Sequence, residues 1–419
     1  MVKVKLFWLM LGIFFVSHAM ADGRKVVSFN DGWTFRKGPF TQDAVKYKDI
    51  FDRKWDKVQI PHTWNARDMQ LKYNQFYAGE AYYRKNFQVE EGLKGKRVFL
   101  RFEGVGQVMD LYLNGRYIGN HKGGYSACAF ELTKSLKYGQ ENELLVRVNN
   151  ASSPEVIPVN HVLFGVYGGI YRPVWLIVTD KVNIAVNDCA SSGVYITQKN
   201  VSSKSADVQV KVKMENKELT PQTVVLENTI YDYSGKPCLK KTQNIVVLPQ
   251  GEQCFEQDFQ MKKPHLWHGR KDPYLYKVVT RVKRGNEVID EIVQPLGIRK
   301  FEIIGGKGFY LNGEKYPMYG VCRHQDWWGI GSALKNEHHD FDMAAIMDIG
   351  ATTVRFAHYQ QSDYIYAKCD SLGLIIWAEI PFVNRVSTQE GPNAKEQLRE
   401  LIRQNFNHPS IYVWGLHNE

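Results

Sequence analysis

Toward the end of the chain, four short runs carry groups that can move protons or hold a polar ligand. They are Arg323-His324-Gln325-Asp326, Arg355-Phe356-Ala357-His358-Tyr359, Trp377-Ala378-Glu379 and Trp414-Gly415-Leu416-His417-Asn418-Glu419. A carboxylic acid beside an amide and several aromatic rings suits glycoside hydrolysis. That reaction needs a proton donor at the glycosidic oxygen and a second carboxylate facing the anomeric carbon. Trp377 and Trp414 could line an apolar floor under a sugar ring, and desolvation by that floor would raise a nearby carboxyl pKa, as a proton donor requires. The alternative is that both indoles only fill the top of the domain core.

The stretches around these runs say what must position them. Tyr316 to His324, Thr352 to Phe356, Leu374 to Ile380 and Ile411 to Leu416 read as strands. Leu374 to Ile380 is apolar enough to be a continuous buried strand. Between them, Glu337 to Ile349, Asp363 to Leu372 and Ala394 to Phe406 have helical spacing and stop at Gly350, Gly373 and Asn407-His408-Pro409. Alternating strands and helices with buried strands imply parallel β/α units. A doubly wound sheet would carry a Gly-rich phosphate loop after its first strand, and none is present, so a (β/α)8 barrel fits better. The four polar runs then fall at strand C-termini, the rim where such barrels keep their active sites. A barrel needs about 250 residues, whereas 122 follow Gly297. The expectation is the first half of a TIM barrel over 298–419, in the N-terminal part of a longer enzyme.

Upstream the pattern is all-β. Arg97 to Phe102, Val108 to Leu113 and Glu143 to Val148 run apolar or alternate over strand lengths, with turn signals such as Asn114-Gly115 between them. Residues 22–180 therefore read as a jelly-roll sandwich. A second β segment over 181–297, with strict alternation from Val208 to Met214, suits an immunoglobulin-like sandwich.

The first 21 residues read as a secretory signal peptide. Lys3 and Lys5 precede an apolar run from Leu6 to Val16, and Ala19-Met20-Ala21 offers a small-x-small cleavage site. The expected location is periplasmic or extracellular, with no membrane span after cleavage. Hydrophobic residues at 44% and charged residues at 23% exclude disordered, collagen-like and polytopic membrane classes. Net charge is +10, or +8 once the leader's two lysines are gone. No Lys/Arg run exceeds two residues, so a scattered solvated surface is expected rather than nucleic-acid binding. Six cysteines are too few for a disulfide scaffold and show no metal-ligand spacing. Aromatic residues reach 13%, which suits sugar stacking, although composition alone favours large sandwich cores.

Several segments carry a family resemblance. Arg403-Gln-Asn-Phe-Asn-His-Pro-Ser-Ile-Tyr-Val-Trp-Gly-Leu-His-Asn-Glu419 resembles the acid/base motif of glycoside hydrolase family 2, which holds β-galactosidases, β-glucuronidases and β-mannosidases. Thr353 to Tyr359, followed by Cys369 to Trp377, resembles its other barrel motif. Phe309 to Gly313 with Gly320 to Asp326 resembles the run that leads into the barrel. Val108 to Gly115, His121 to Tyr125 and Gly168 to Trp175 resemble its sugar-binding jelly roll. The resemblance implies that Glu419 is the general acid/base, that Asn418 bonds the sugar 2-hydroxyl and that His358 lines the subsite. Arg355 would support the nucleophile, whose own glutamate lies on a later strand. His324, Asp326 and Glu379 would sit near the pocket.

The chain departs from the family pattern at Thr353, Phe356 and Gln360, and has Leu163 where the jelly roll often sends an aspartate into the pocket. Val383 and Arg385 stand where large β-galactosidases hold magnesium, and neither is an oxygen donor, so no metal and no cofactor are expected. The resulting expectation is a retaining exo-β-glycosidase acting on an oligosaccharide or glycan, first of all a β-galactosidase, with a homo-oligomer admitted. β-Glucuronidase and β-mannosidase are the near rivals. A non-catalytic carbohydrate-binding protein is the rival of another class, because these residues include only one of the two carboxylates the mechanism needs.

Overall fold

Strict alternation puts Met109, Leu111 and Leu113 on one face of the strand Val108–Leu113, where all three are buried. That strand belongs to the first of three domains in the computed structural model, which describes residues 23–38, 55–70 and 76–419. The proposed leader over 1–21 lies outside the described residues. The first domain packs an antiparallel six-stranded sheet, in which Glu141–Asn149 runs between Glu80–Gln88 and Val108–Leu113, against a four-stranded sheet. In the latter Val174–Thr179 lies between Lys25–Ser28 and Arg97–Phe102. Leu100, Phe102, Leu111 and Val146 meet in the shared core. This is a jelly-roll sandwich.

The second domain repeats the physics with two four-stranded antiparallel sheets. Val208, Val210, Val212 and Met214 point inward from Ser205–Asn216 and meet Leu226, Ile230 and Val278 of the facing sheet. It is the immunoglobulin-like sandwich. A small sheet of Phe301–Ile304, Gly308–Leu311 and Glu314–Lys315 then leads into the third domain.

There, four parallel strands lie side by side in chain order: β1 (Gly320–Arg323), β2 (Thr353–Phe356), β3 (Ile375–Glu379) and β4 (Ile411–Gly415). Helices α1 (Asn336–Asp348), α2 (Asp363–Leu372) and α3 (Gly391–Gln404) connect them. Val354, Phe356, Ile376 and Ala378 point to the helices and meet Met343, Ile365, Tyr366 and Leu401. The opposite face carries Cys322, Arg355, Trp377 and Glu379. One expectation shifts here. β1 is four residues long rather than nine, because the Thr352 hydroxyl, not a ladder partner, accepts from Tyr319 N and donates to Pro317 O. Trp377, read as a pocket floor or as core filling, is 37% exposed on the interior face. This is the first part of a TIM barrel.

Gly373 ends α2 at φ 73°, and a Cβ there would come within 2.1 Å of the Gly269 carbonyl oxygen, so the second and third domains touch through that glycine. Nearby, the buried Asp370 carboxylate accepts from His408 Nδ1 at 2.6 Å and Ser410 Oγ at 2.6 Å, fixing the approach to β4. Its backbone oxygen takes the indole N–H of Trp267 at 2.9 Å. Burial opposes a charged His408, but the Asp370 charge and hydrogen bond outweigh it and hold the imidazole above its ordinary value. A base whose pKa is raised on folding adds stability that is complete below the unfolded value, about 6.5, and is lost as pH climbs through the folded one. In denaturant titrations, the stability gap between wild type and His408→Gln is therefore expected to shrink as pH rises above about 6.5. A gap independent of pH would rule this linkage out.

Candidate active site

Parallel strands send alternate side chains to one face, so β2 and β3 bring Arg355, Trp377 and Glu379 together. At the top of that face the Arg355 fork grips Glu379, with Nε 3.1 Å from Oε2 and Nη2 2.9 Å from Oε1. The same Nη2 donates to Asn418 Oδ1 at 2.8 Å. Glu379 is 2% exposed, so the guanidinium supplies the charge that its burial demands. His358 Nδ1 lies 2.8 Å from Glu379 Oε1 and 3.2 Å from Arg355 Nη2. The closer carboxylate assigns the proton to Nδ1 and leaves Nε2 as an acceptor. Asn418 has its carbonyl committed to Arg355, and its NH2 group is unengaged among the described residues.

The backbone around Asn418 is clamped to the loop after β3. Asn418 N donates to Phe382 O at 2.9 Å, and Asn384 N to Asn418 O at 3.1 Å. Glu419 leaves this clamp at φ 56°, exposed, with no side-chain hydrogen bond or ion pair among the described residues.

His324, at the end of β1, sits 5.3 Å from His358 between ring centroids. Burial and the neighbouring His358 hold its pKa below the ordinary histidine value, which keeps it neutral at pH 7. Asp326 faces the first domain and accepts from the Tyr167 hydroxyl at 2.8 Å. Trp377 lies under Arg355, 5.7 Å from guanidinium carbon to ring centroid. Trp414 is elsewhere, which corrects the expectation of a shared indole floor. A register shift between β3 and β4 sets Val413 opposite Trp377 and Trp414 opposite Ala378, so Trp414 packs on the helix side.

One wall of the site was missed in the sequence. Phe164, from the jelly roll, lies 5.7 Å from His324, 6.1 Å from His358 and 5.1 Å from Tyr359. Tyr125, also from the jelly roll, stacks on Tyr359 at 4.3 Å. Tyr125 ends the run His121 to Tyr125 that resembles the family's sugar-binding jelly roll, but it was not read as a site residue. Phe164 sits beside Leu163, the position from which the family resemblance sends an aspartate into the pocket, and that was the one local signal. Among the described residues no group of three His, Cys, Asp or Glu side chains could hold a metal ion. Val383 is buried and Arg385 is exposed.

This geometry can be set beside known proteins. Three models match the chain in order: glycosyl hydrolases family 2, sugar binding domain, over 44–180; glycosyl hydrolases family 2 over 191–299; and the family's TIM barrel domain over 302–419. The chain belongs to glycosyl hydrolases family 2. A Bacteroides fragilis family 2 relative named beta-glucuronidase is 40% identical over 408 residues, covering 94% of this chain and 56% of its own. A Thermoanaerobacter pseudethanolicus protein named beta-galactosidase is 31% identical over 399 residues, covering 94% and 52%. Among solved structures, a candidate β-galactosidase from Bacteroides fragilis superposes with a TM-score of 0.93 at 64% identity, covering 95% of this chain and 59% of that one. Bacteroides uniformis beta-glucuronidase 2, covalently bound to cyclophellitol-6-carboxylate aziridine, gives 0.89 at 33%, covering 94% and 47%. The family 2 chain thus spans about half the length of these relatives.

Proposed function

We propose that the complete protein is a retaining exo-β-glycosidase that removes terminal β-galactosyl residues by double displacement. The observation that carries this reading is the cluster of Asn418, Arg355, Glu379 and His358 at the C-terminal rim of parallel barrel strands. Glu419 follows this cluster directly. In the proposed reaction a carboxylate on a later strand attacks the anomeric carbon while Glu419 protonates the departing oxygen. Glu419 then takes a proton from water as that water releases the sugar, and two inversions give retention. In this reading the Asn418 NH2 and the His358 Nε2 meet sugar hydroxyls.

The β-galactoside is put first on the likeness to the Bacteroides fragilis candidate β-galactosidase, 64% identical to this chain. β-Glucuronide hydrolysis is the second reading. It draws on the name of the Bacteroides fragilis relative and on the exposed Arg385, two residues beyond the Val383 bridge to Asn418, which could meet a sugar carboxylate. Screening the complete protein against nitrophenyl β-galactoside, β-glucuronide and β-mannoside decides the matter. Turnover of the galactoside is expected to dominate. Dominant turnover of the glucuronide would replace the first reading by the second, and no turnover of any of the three would overturn both.

A further inference from the structure

The run that ends β1 does not stop at Asp326. It continues into a tight turn that holds an indole in open solvent. Trp327 and Gly331 exchange both backbone hydrogen bonds at 2.9 Å, which closes the turn on itself. Trp327 faces inward. Its indole N–H donates to Asp342 Oδ1 at 3.0 Å, and its ring meets Phe341 edge-on at 5.4 Å. Asp342 is in turn held by the Arg323 guanidinium, with contacts of 2.9 and 2.6 Å. On the other flank a Cβ at Gly331 would come within 2.7 Å of the Tyr167 ring, so the turn abuts the residue that bonds Asp326. Trp328 projects from this mount, 81% exposed, with no ring partner and no acceptor for its N–H among the described residues.

Single exposed apolar residues are ordinary on protein surfaces. Two features set Trp328 apart. The mount is anchored at both flanks, so presenting the ring costs little extra ordering when a ligand arrives. The position is also particular. Trp328 is four residues from His324, hence within about 14 Å of it along the chain. It sits on the loop between β1 and α1, at the C-terminal rim where such barrels keep their active sites. The apolar C–H face of a pyranose complements the electron-rich face of an indole, and a flat ring with two torsions gives large contact area at low entropic cost.

We propose that Trp328 is a stacking platform for a sugar ring on the leaving-group side, which makes β-linked oligosaccharides better substrates than simple glycosides. This rests on the glycosidase reading above. The test uses the full-length enzyme, with a methyl β-glycoside and a tetrasaccharide that share the terminal sugar and linkage. Trp328→Ala is expected to raise KM for the tetrasaccharide about tenfold more than for the methyl glycoside, the size of one aromatic stacking contact. Trp328→Phe should recover most of that difference. Equal effects on both substrates would overturn the platform. So would a wild-type Trp328 shielded from iodide quenching together with a lower melting temperature for Trp328→Ala, because the indole would then be covered by protein. Fluorescence titration with the tetrasaccharide reads the platform without turnover. A wild-type response that Trp328→Ala abolishes, in a protein that hydrolyses no glycoside, would sink the glycosidase reading and leave the platform standing. No wild-type response would sink the platform itself.

Discussion

Replacing Glu419 by Gln in the complete enzyme is expected to slow hydrolysis of an alkyl β-glycoside by about 10²–10⁴-fold, the usual worth of a positioned proton donor. The same change should slow the first step far less with a dinitrophenyl glycoside, whose phenolate departs without help. The structural reason is the clamp that holds Asn418 to residues 382–384 and starts Glu419 away from it at positive φ. Pre-steady-state kinetics with a series of leaving groups makes the comparison. A steep dependence of rate on leaving-group pKa, absent in wild type, is the expected signature. Equal losses across the series would show that Glu419 is not the acid.

The largest stability effect is expected at Arg355. Arg355→Met leaves the Glu379 carboxylate buried with only His358 beside it. Breaking a buried ion pair costs about 3–5 kcal/mol, and the low end applies because His358 remains and Arg355 is itself partly exposed. Asn418 loses its donor at the same time, so the amide is no longer oriented and turnover should fall with the stability. In Arg355→Met/Glu379→Gln the stranded charge is gone. The double variant should be less destabilised than the sum of the single ones, a coupling readable from denaturant midpoints. Strict additivity would mean that the pair contributes nothing as a pair.

Local patterns were legible where local physics decides. Arg97–Phe102 and Val108–Leu113 occur as read, because each alternates or runs apolar between clear turn signals. The helix Asp363–Leu372 also occurs as read, fixed by Gly373 at its end. The convergence of Arg355, His358, Glu379 and Asn418 was readable too, since strand C-termini in a parallel sheet share one rim. What failed depends on information that no short window contains. Trp377 and Trp414 look alike in sequence, yet one slipped pairing at Tyr412 sends them to opposite faces. A slip of one residue reverses every later side chain, and nothing in the residues of β4 announces it. Phe164 reaches its partners across nearly two hundred positions of chain, so its place at the rim follows from how two domains dock rather than from its neighbours.

Under the proposed reading, that docking gives the jelly roll a share in selectivity. Phe164 borders His324 and Tyr125 stacks on Tyr359, so the cup is moulded in part by the jelly roll. Insertions or substitutions in the 160s can reshape what the enzyme accepts while the barrel's chemical groups stay untouched. Grafting the sandwich of one relative onto the barrel of another would then transfer preference for a substrate, and a barrel expressed without it would meet its sugar with one side missing.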